Sequence, residues 1–551
     1  MIIKKFLCIA ALLPVFFSCY KSSEVVAPDP SPISFLSMPE GFSVVSGETA
    51  RLTAPVKFPE KYATKEAIEK EFDVQWYIDG VLAASGFEVD ITIETIGGCA
   101  VVLKVIRRDT GETWLSDGYT LNSKSSVGWG WMVLSDHGDG NSSLGFVNPR
   151  TMRAHLNLER QIEGGIGTGP KSMYYYYVLG SIPNSYISGL PKILINQSGG
   201  SVTLDGSTLQ KDMWLKDEFD GGVEPETDFT ITGFAWKKSY YLIASSQGNI
   251  YLRCMNSSNA SIPYYGRYSS MPLSFDGGFR ADYFQGFQNV SYWCADEDLV
   301  LLYDGACSRF LIVTKGGYGQ TFESYRPKVV YLSYYDVDGS FDPAMRRVDN
   351  LGSGTRCLAA GAYEKVGTDE SGLGLNFYPS YVALMDYDGA GDYQLLRFTV
   401  DPVTPDSHVI TEASQTAFSG AHELTDSSLI RMSANFEVNP FFYFTDGGKN
   451  LYAYSMDAGT HKLLYSAGAD IVSLCTSPVN SSFSAYGGNP ADVNWRLAVG
   501  LSDGSIDFLD VSSSTMVHVF EGLSTVKPLA SVQGFGSIKT IVWATNYESE
   551  Y

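Results

Sequence analysis

The sequence predicts an all-β fold in which a small β-sandwich precedes a β-propeller. Its composition suits packed strands and turns, with 55 Gly, 35 Tyr and 30 Phe among 551 residues, and only 18% of residues are charged. Short apolar runs break at a Gly-containing turn and then resume, as hairpins do. Most of these turns are about 50–60 residues apart, close to the period of a propeller blade. Seven of them predict seven blades: Asp139-Gly140, Ser198-Gly199, Gln247-Gly248, Asp304-Gly305, Asp388-Gly389, Asp446-Gly447 and Asp503-Gly504.

The N-terminus is typical of a bacterial lipoprotein signal. Two lysines precede the apolar run Phe6–Phe17, which is shorter than the roughly 20 residues needed to span a membrane, and Ser18 then precedes Cys19. We therefore predict a signal peptide over residues 1–18, lipidation of Cys19, and a polar tether over residues 19–32. An ordinary signal peptide followed by an incidental cysteine is the alternative.

Residues 33–125 are predicted to form an immunoglobulin-like β-sandwich. The run Asp73–Gly80 alternates apolar and polar residues and ends in an Asp-Gly turn. It places Trp76 where a central strand packs across two sheets, although no antibody-type cysteine pair accompanies it. The other predicted elements are two strands and one helical turn, over Glu88–Ile93, Cys99–Val105 and Lys65–Glu71.

Residues 126–551 are predicted to form the propeller. The clearest hairpin is Phe441–Tyr454, in which two apolar strands flank one Asp-Gly turn. The last strand, Ser537–Ala544, is expected to close the ring, because radial repetition protects strand edges. The longest interval between turns contains a further turn at Asp338-Gly339, so an eight-bladed ring is the alternative.

Two segments of the sandwich resemble a known family. WYIDG at 76–80 and GGCAVVLKVIRRDTGETW at 97–114 look like the paired strands of a PKD-like domain, with Cys99 where that family usually has Tyr. The plan of lipobox, one PKD-like domain and β repeats resembles the PKD-like lipoproteins found beside SusC/SusD-type uptake systems. The resemblance implies a lipid-anchored accessory subunit on the bacterial outer membrane, exposed at the cell surface. It would capture or present glycan or peptide for a TonB-dependent importer.

Charge and motifs argue against several other functions. The formal net charge of −22 makes nucleic acid an unlikely partner, because phosphates require a basic surface. The sequence contains no HExxH, no GxSxG and no phosphate-binding Gly loop between a strand and a helix. We therefore predict no catalysis and no organic cofactor. A propeller hydrolase or lyase acting on the same polymers stays open, as does a purely structural bridging subunit.

Two D-x-D-G-x-x-D loops are candidates for calcium binding. Clustered carboxylates on a short loop can supply the oxygen ligands that Ca²⁺ prefers. Neither loop has the Glu that ends an EF-hand loop, and Asp and Gly also suit hairpin turns, so the turn interpretation is favoured. The carboxylates are Asp336, Asp338 and Asp342 in one loop and Asp386, Asp388 and Asp392 in the other.

Aromatic clusters are the better candidates for ligand binding. Aromatic rings with polar neighbours suit stacking on sugars or gripping peptides, and such rings are enriched at binding hot spots. The runs Met173–Tyr177, Pro263–Tyr268 and Tyr283–Phe287 fall where loops between blades are expected. Packing between blades is the alternative. The candidate ligand-binding residues are Tyr264, Tyr265, Tyr268, Trp214 and Tyr378.

Overall fold

The computed structural model divides into two compact units, Met1–Lys124 and Ser125–Tyr551, and both are built from β-strands. The all-β prediction is therefore confirmed. Among the described residues no helix is both long and apolar enough to cross a membrane. The structure describes residues 33–37, 43–45, 49–93, 97–124, 127, 130–179, 189–236, 240–254, 266–273, 275, 280–286, 299–314, 327–334, 345–368, 375–389, 391–404, 407–434, 436, 439–477, 495–523 and 525–544.

The described part of the first unit contains ten strands in two layers. A larger sheet has the order β2-β10-β8-β5-β6, with β9 also on β8, and smaller sheets pair β3 with β7 and β1 with β4. Leu52 and Ile91 of the β3–β7 pair share one core with Trp76 and Leu103 of the larger sheet. The strands are β1 Ser34–Phe35, β2 Ser43–Val45, β3 Thr49–Thr53, β4 Val56–Lys57, β5 Phe72–Ile78, β6 Val81–Ser85, β7 Glu88–Thr92, β8 Gly97–Arg107, β9 Thr113–Leu115 and β10 Tyr119–Lys124.

Local sequence signals place the elements of this unit well. Helix α1 spans Lys65–Glu71, as predicted, and the side chain of Thr64 caps it by accepting a hydrogen bond from Ala67 N at 3.3 Å. The indole of Trp76 is buried and donates to the carbonyl oxygen of Gly86 at 3.1 Å. The immunoglobulin-like or PKD-like identity of this two-layer unit stays a prediction.

The described part of the second unit contains seven sheets, which we number as blades 1–7. Short helices lie in its connections, α2 at Leu215–Glu218 and α3 at Ser513–Phe520. The strands are, in blade 1, β11 Gly130–Asp136, β12 Ser142–Val147, β13 Ala154–His155 and β37 Ser537–Ala544; in blade 2, β14 Pro170–Leu179, β15 Gly189–Gln197, β16 Val202–Asp205 and β17 Lys211–Trp214; in blade 3, β18 Ile231–Trp236, β19 Tyr240–Ser245 and β20 Ile250–Cys254; in blade 4, β21 Ala281–Gly286, β22 Val300–Asp304, β23 Arg309–Thr314 and β24 Lys328–Tyr334; in blade 5, β25 Arg356–Thr368, β26 Leu375–Tyr387, β27 Asp392–Thr404 and β28 Ser407–Ala417; in blade 6, β29 Ile430–Met432, β30 Phe441–Thr445, β31 Asn450–Ser455 and β32 Thr460–Ser466; and in blade 7, β33 Ile471–Thr476, β34 Arg496–Leu501, β35 Ile506–Asp510 and β36 Ala530–Val532.

One strand of each blade contacts its counterparts in the two adjacent blades, which closes a ring. These innermost strands follow one another as β37, β14, β18, β21, β25, β29 and β33, and β33 again contacts β37. The C-terminal strand β37 pairs antiparallel with β11 of blade 1, with Trp131 opposite Trp543. The chain therefore closes the ring with its last strand, as the sequence predicts. The described residues form seven blades around a central channel, and Asp338-Gly339 lies outside them.

The Gly turns found in the sequence share one structural role. Each joins the second and third strands of its blade, counted outward from the channel, so all seven lie on one face, which we call the Gly-turn face. The Asp of such a turn accepts backbone N–H groups of the turn. Asp446, for example, accepts Gly448 N at 2.9 Å and Asn450 N at 3.2 Å. The same capping is made by Asp139, Asp304 and Asp503, whereas Asp388, the fifth Asp of these turns, pairs with Arg346.

Blade 5 departs from the other six in two ways. Three of its strands are 13 residues long, whereas the longest described strand of any other blade has 10. The added length projects at the end of the sheet opposite the Gly turn. Its outermost strand β28 also pairs in parallel with β24 of blade 4, with Leu332 opposite His408, so the two blades share one eight-stranded sheet.

Candidate functional site

The Asp386–Asp392 loop is neutralised by arginines. Asp386 is completely buried and accepts two hydrogen bonds from Arg356, at 3.1 Å from Nε and 2.5 Å from Nη2. Asp388 forms a bidentate pair with Arg346, at 3.1 and 2.9 Å, and this hydrogen bonding lowers the pKa of its carboxyl. Asp392 is exposed and accepts from the Gln394 side chain at 3.0 Å. The first two carboxylates therefore already have cationic partners.

The calcium prediction gains no support from this loop. Across the described residues, no group of three or more His, Cys, Asp or Glu side chains is placed to hold a metal ion. The second predicted loop, with Asp336, Asp338 and Asp342, lies outside the described residues. Calcium binding there stays a prediction.

Tyr268 was expected on an exposed loop, and the structure corrects this: its side chain is only 1% exposed. Its backbone runs beside β20 as an extra edge of blade 3, and its N–H donates to the carbonyl oxygen of Glu218 at 2.8 Å. Its ring lies 5.3 Å from that of Phe219. Tyr268 therefore packs between blades 2 and 3 and cannot contact a ligand at the surface.

A buried ion pair beside Tyr268 accounts for the buried position of its ring. Glu218 accepts hydrogen bonds from Arg253 and Thr203, and the Arg253 guanidinium lies over the rings of Tyr241 and Tyr268 at 5.7 and 5.6 Å. Burial raises the pKa of Glu218, and the charge of Arg253 opposes that rise. The cluster stabilises the junction of two blades, so the packing alternative applies here.

The other two aromatic runs lie on innermost strands instead of loops, with residues 283–286 on β21 of blade 4. Met173–Tyr177 lies on the innermost strand β14, where Met173 and Tyr176 are buried on opposite sides of the blade. Consecutive side chains alternate between the two faces of a strand, so residues 173–176 fill the gaps to both neighbouring blades. Tyr264, Tyr265 and the lipidation candidate Cys19 lie outside the described residues.

Trp214 ends the outermost strand of blade 2 and is half-buried. Its ring packs on the blade 1–2 core, and Lys211 Nζ lies 4.6 Å from the ring centroid. The cation covers one face of the ring, so Trp214 acts here mainly as a cover for the blade edge. It does not lie with the other candidate residues in the described structure.

Tyr378 lies beside a cleft that the sequence analysis did not identify. It is half-buried on β26 and directly opposite Lys365 of β25, in the projecting half of blade 5. The cleft has a volume of about 350 Å³, within the range of about 300–1,000 Å³ typical of small-ligand sites. Its lining comes from three strands of the blade: Tyr363, Lys365, Arg397, Phe398, Thr399, Glu412, Ala413 and Ser414.

The cleft combines the side chain of Tyr363 with paired donors and acceptors. Arg397 Nε donates to the Tyr363 hydroxyl at 2.5 Å, and its guanidinium lies 5.1 Å from the centroid of that ring. Lys365 Nζ on β25 and Glu412 Oε2 on β28, the innermost and outermost strands of the blade, form an ion pair at 2.5 Å. Glu412 is the only carboxylate in the lining, so the lining offers no carboxylate pair of the kind that glycosidases use. Tyr363 is only 5% exposed and its ring lies against Arg397 and Phe436, so the arrangement offers mainly polar groups to a ligand.

A sequence signal for this cleft existed in hindsight. The interval between the turns at Gly305 and Gly389 is longer than the others, and the sequence continues as strand-like residues well before Gly389. In the sequence alone, these extra residues suggest an eighth blade. In the structure, part of them lengthens blade 5.

Comparisons of this chain with known proteins show similarity to solved structures only. No protein-family model matches it, and no curated protein does. A quinoprotein alcohol dehydrogenase-like protein from Bacteroides thetaiotaomicron is 13% identical over 91% of this chain and 96% of that chain, with a TM-score of 0.39. A DUF4784 family protein from Bacteroides caccae is 10% identical over 93% and 98%, with a TM-score of 0.27. Because both scores are below 0.5, the architecture rests on the sheet topology of this chain itself.

Proposed function

We propose that this protein is a non-catalytic binding protein that holds a segment of glycan or peptide in the cleft of blade 5. The observation that carries the proposal is the projecting half of this blade, where an aromatic ring, two cations and one carboxylate surround a concave space. Two cations and one carboxylate at a concave surface suit the hydroxyls of a sugar or the polar groups of a peptide. The remaining blades hold this site on a rigid scaffold.

The location and the partners of the protein are part of the proposal. The lipoprotein-like N-terminus supports attachment to the bacterial outer membrane through acyl chains on Cys19, with the first unit as a spacer. The resemblance of the sequence to PKD-like lipoproteins supports a role beside a SusC/SusD-type importer, facing the cell exterior. In this role the protein would deliver polymer to the importer and would need neither an organic cofactor nor a metal.

Ligand binding in the cleft can be tested by filling the cleft with a large side chain. Ser414 is exposed and lines the cleft, and Ser414→Trp places a large side chain into it. Thr416→Trp is the matched control, because Thr416 is exposed on the same face of β28, two residues away and outside the lining. Isothermal titration calorimetry with a panel of soluble glycans and peptides should show binding by wild type and Thr416→Trp, and at least a 10-fold loss for Ser414→Trp, which is about 1.4 kcal/mol.

An enzyme acting on the same polymers is the competing function. Chromatography of the same panel after incubation with the protein distinguishes binding from catalysis. Unchanged polymer together with measurable binding supports the proposal. Shortened products that disappear in Glu412→Gln would instead identify the cleft as a catalytic site. Equal binding by wild type and Ser414→Trp would show that the ligand binds elsewhere.

A further inference from the structure

The innermost strands carry an excess of positive charge in an acidic protein. The whole chain has 39 Lys and Arg against 61 Asp and Glu. The seven innermost strands reverse this balance, because they contain five basic residues and only two acidic ones, Asp282 and Glu364. The basic residues are Lys171, Arg356, Lys365, Arg431 and Lys539.

Three of these cations lie on one side of the channel at the same end of it. Lys171, Arg431 and Lys539 belong to blades 2, 6 and 1, and each lies near the start of its innermost strand. That end is the Gly-turn face, because each innermost strand is antiparallel to the strand that runs into the Gly turn. The strand β33 between blades 6 and 1 has no charged residue.

Cross-blade hydrogen bonds join the strands that carry the three cations through β33 of blade 7. Arg431 Nε donates to the carbonyl oxygen of Leu474 on β33 at 3.1 Å. The backbone N–H of Ile541 on β37 donates to Ser473 Oγ on β33 at 3.0 Å. Thr540 on β37 then contacts the carbonyl oxygen of Lys171 on β14 at 3.5 Å. Four adjacent innermost strands are thus joined within two residues of each cation.

The three side chains contact neutral groups in the described structure. Lys171 Nζ bonds Thr230 Oγ1 at 3.0 Å, and Lys539 Nζ bonds Ser537 Oγ at 2.9 Å. No described carboxylate lies within ion-pair distance of Lys171, Arg431 or Lys539, unlike Arg356, which pairs with Asp386. Lys171 and Arg431 are exposed, and Lys539 is half-buried. Each cation has the rest of its own blade behind it and another innermost strand on either side. Solvent therefore reaches it from the mouth of the channel.

One half-buried tyrosine lies below these cations, at the seam between blades 2 and 3. Tyr174 follows Lys171 on β14, and its ring lies 5.6 Å from that of Phe234 on the next innermost strand, β18. Burial raises the pKa of Tyr174, and the charge of Arg431 from blade 6 opposes this rise, which places the guanidinium within electrostatic reach of blade 2. A cationic mouth with one tyrosine at its seam suits a ligand that has carboxylates and a sugar ring that the tyrosine can contact.

We infer that the mouth of the channel on the Gly-turn face is a second binding site, which takes a carboxylate-bearing glycan and contacts it through Arg431, Lys539 and Lys171. Neighbouring cations repel one another, and an anionic ligand removes this repulsion. Carboxylates also accept bidentate hydrogen bonds from a guanidinium. The site is independent of the blade 5 cleft, which opens on the projecting end of one blade.

The test measures binding of oligogalacturonate to the purified full-length protein. We expect wild type to bind it, to bind its methyl-esterified form at least 10-fold more weakly, and to lose affinity as NaCl rises, because the carboxylate charge is needed and salt screens it. Arg431→Gln and Lys171→Gln should each weaken binding roughly 10-fold, the effect expected for loss of a charge-assisted hydrogen bond. Glutamine keeps a donor for the neutral partner, and unchanged melting temperatures would show that each variant is folded.

The control is Lys449→Gln, which removes an exposed lysine from the Gly turn of blade 6, on the same face but away from the channel. It should leave the dissociation constant unchanged. An equal loss in Lys449→Gln and Arg431→Gln would overturn the channel site in favour of diffuse surface attraction. Equal binding of poly-glutamate and oligogalacturonate would overturn the glycan assignment. Loss of oligogalacturonate binding in Ser414→Trp would place that ligand in the blade 5 cleft instead.

Discussion

His408 should make the stability of the propeller depend on pH. It lies on β28 at the seam between blades 4 and 5, only 1% exposed, and its Nδ1 has no hydrogen-bond partner among the described residues. Burial, reinforced by the charge of Lys328, lowers the pKa of His408 from 6.5 to about 4. The folded state therefore keeps the imidazole neutral at a pH where the unfolded chain protonates it.

The sign and size of the effect follow from this difference. Above pH 6.5 the group is neutral in both states, and the stability it contributes is fully present. As the pH falls from 6.5 towards 4, the unfolded chain binds a proton that the folded chain does not, so the free energy of unfolding decreases. At pH 5 the loss is about 1.5 pH units at about 1.4 kcal/mol each, or about 2 kcal/mol.

Urea unfolding followed by tryptophan fluorescence, at pH 7.5 and pH 5, measures this loss. Other groups also titrate, so the informative quantity is the difference between wild type and His408→Leu, which keeps a similar shape and cannot be protonated. We expect the variant to lose about 2 kcal/mol less than wild type between the two pH values. His518→Gln, which removes an exposed histidine of α3, should behave as wild type. Identical pH dependence in wild type and His408→Leu would refute the reasoning.

Three further predictions concern the ring and its turns. Ile541→Ala on the closing strand removes a side chain that is 2% exposed and should cost about 2–5 kcal/mol in urea unfolding. Gly504 has φ +83°, and a Cβ there would lie 2.6 Å from a backbone oxygen of the next blade. Gly504→Ala should therefore lower the melting temperature more than Gly459→Ala, where φ is +63° and no atom lies within 4 Å. EDTA should leave the melting temperature unchanged, because arginines already neutralise Asp386 and its neighbour Asp388; a shift reversed by Ca²⁺ would contradict this.

The features that the sequence predicted correctly are those encoded locally. An Asp-Gly turn between two apolar runs contains its own geometry and its own hydrogen bonds, so the hairpin around Asp446 could be identified from its residues alone. The same holds for α1 and for the alternating strand around Trp76. The spacing of the turns then gave seven blades, because every blade repeats one hairpin at the same place.

The features that were missed depend on contacts between distant segments. Tyr268 has the sequence surroundings of an exposed loop, and only the ion pair of Glu218 and Arg253 on two blades shows that its ring is buried. The cleft of blade 5 forms only when the four strands of that blade pair in register. The positive charge at the channel mouth arises only when Lys171 and Lys539, 368 positions apart, lie on innermost strands of adjacent blades. No local pattern of residues encodes such a juxtaposition.

The measurement that tests the proposed role most directly is affinity purification of the tagged, lipidated protein from gently solubilised outer membranes, followed by mass spectrometry of the co-purifying proteins and of any bound polymer. The account predicts stoichiometric recovery of a TonB-dependent barrel and its lid lipoprotein, together with glycan or peptide that is absent from a Ser414→Trp preparation. Recovery of the protein alone under every detergent and salt condition would contradict a role as an accessory subunit of an importer.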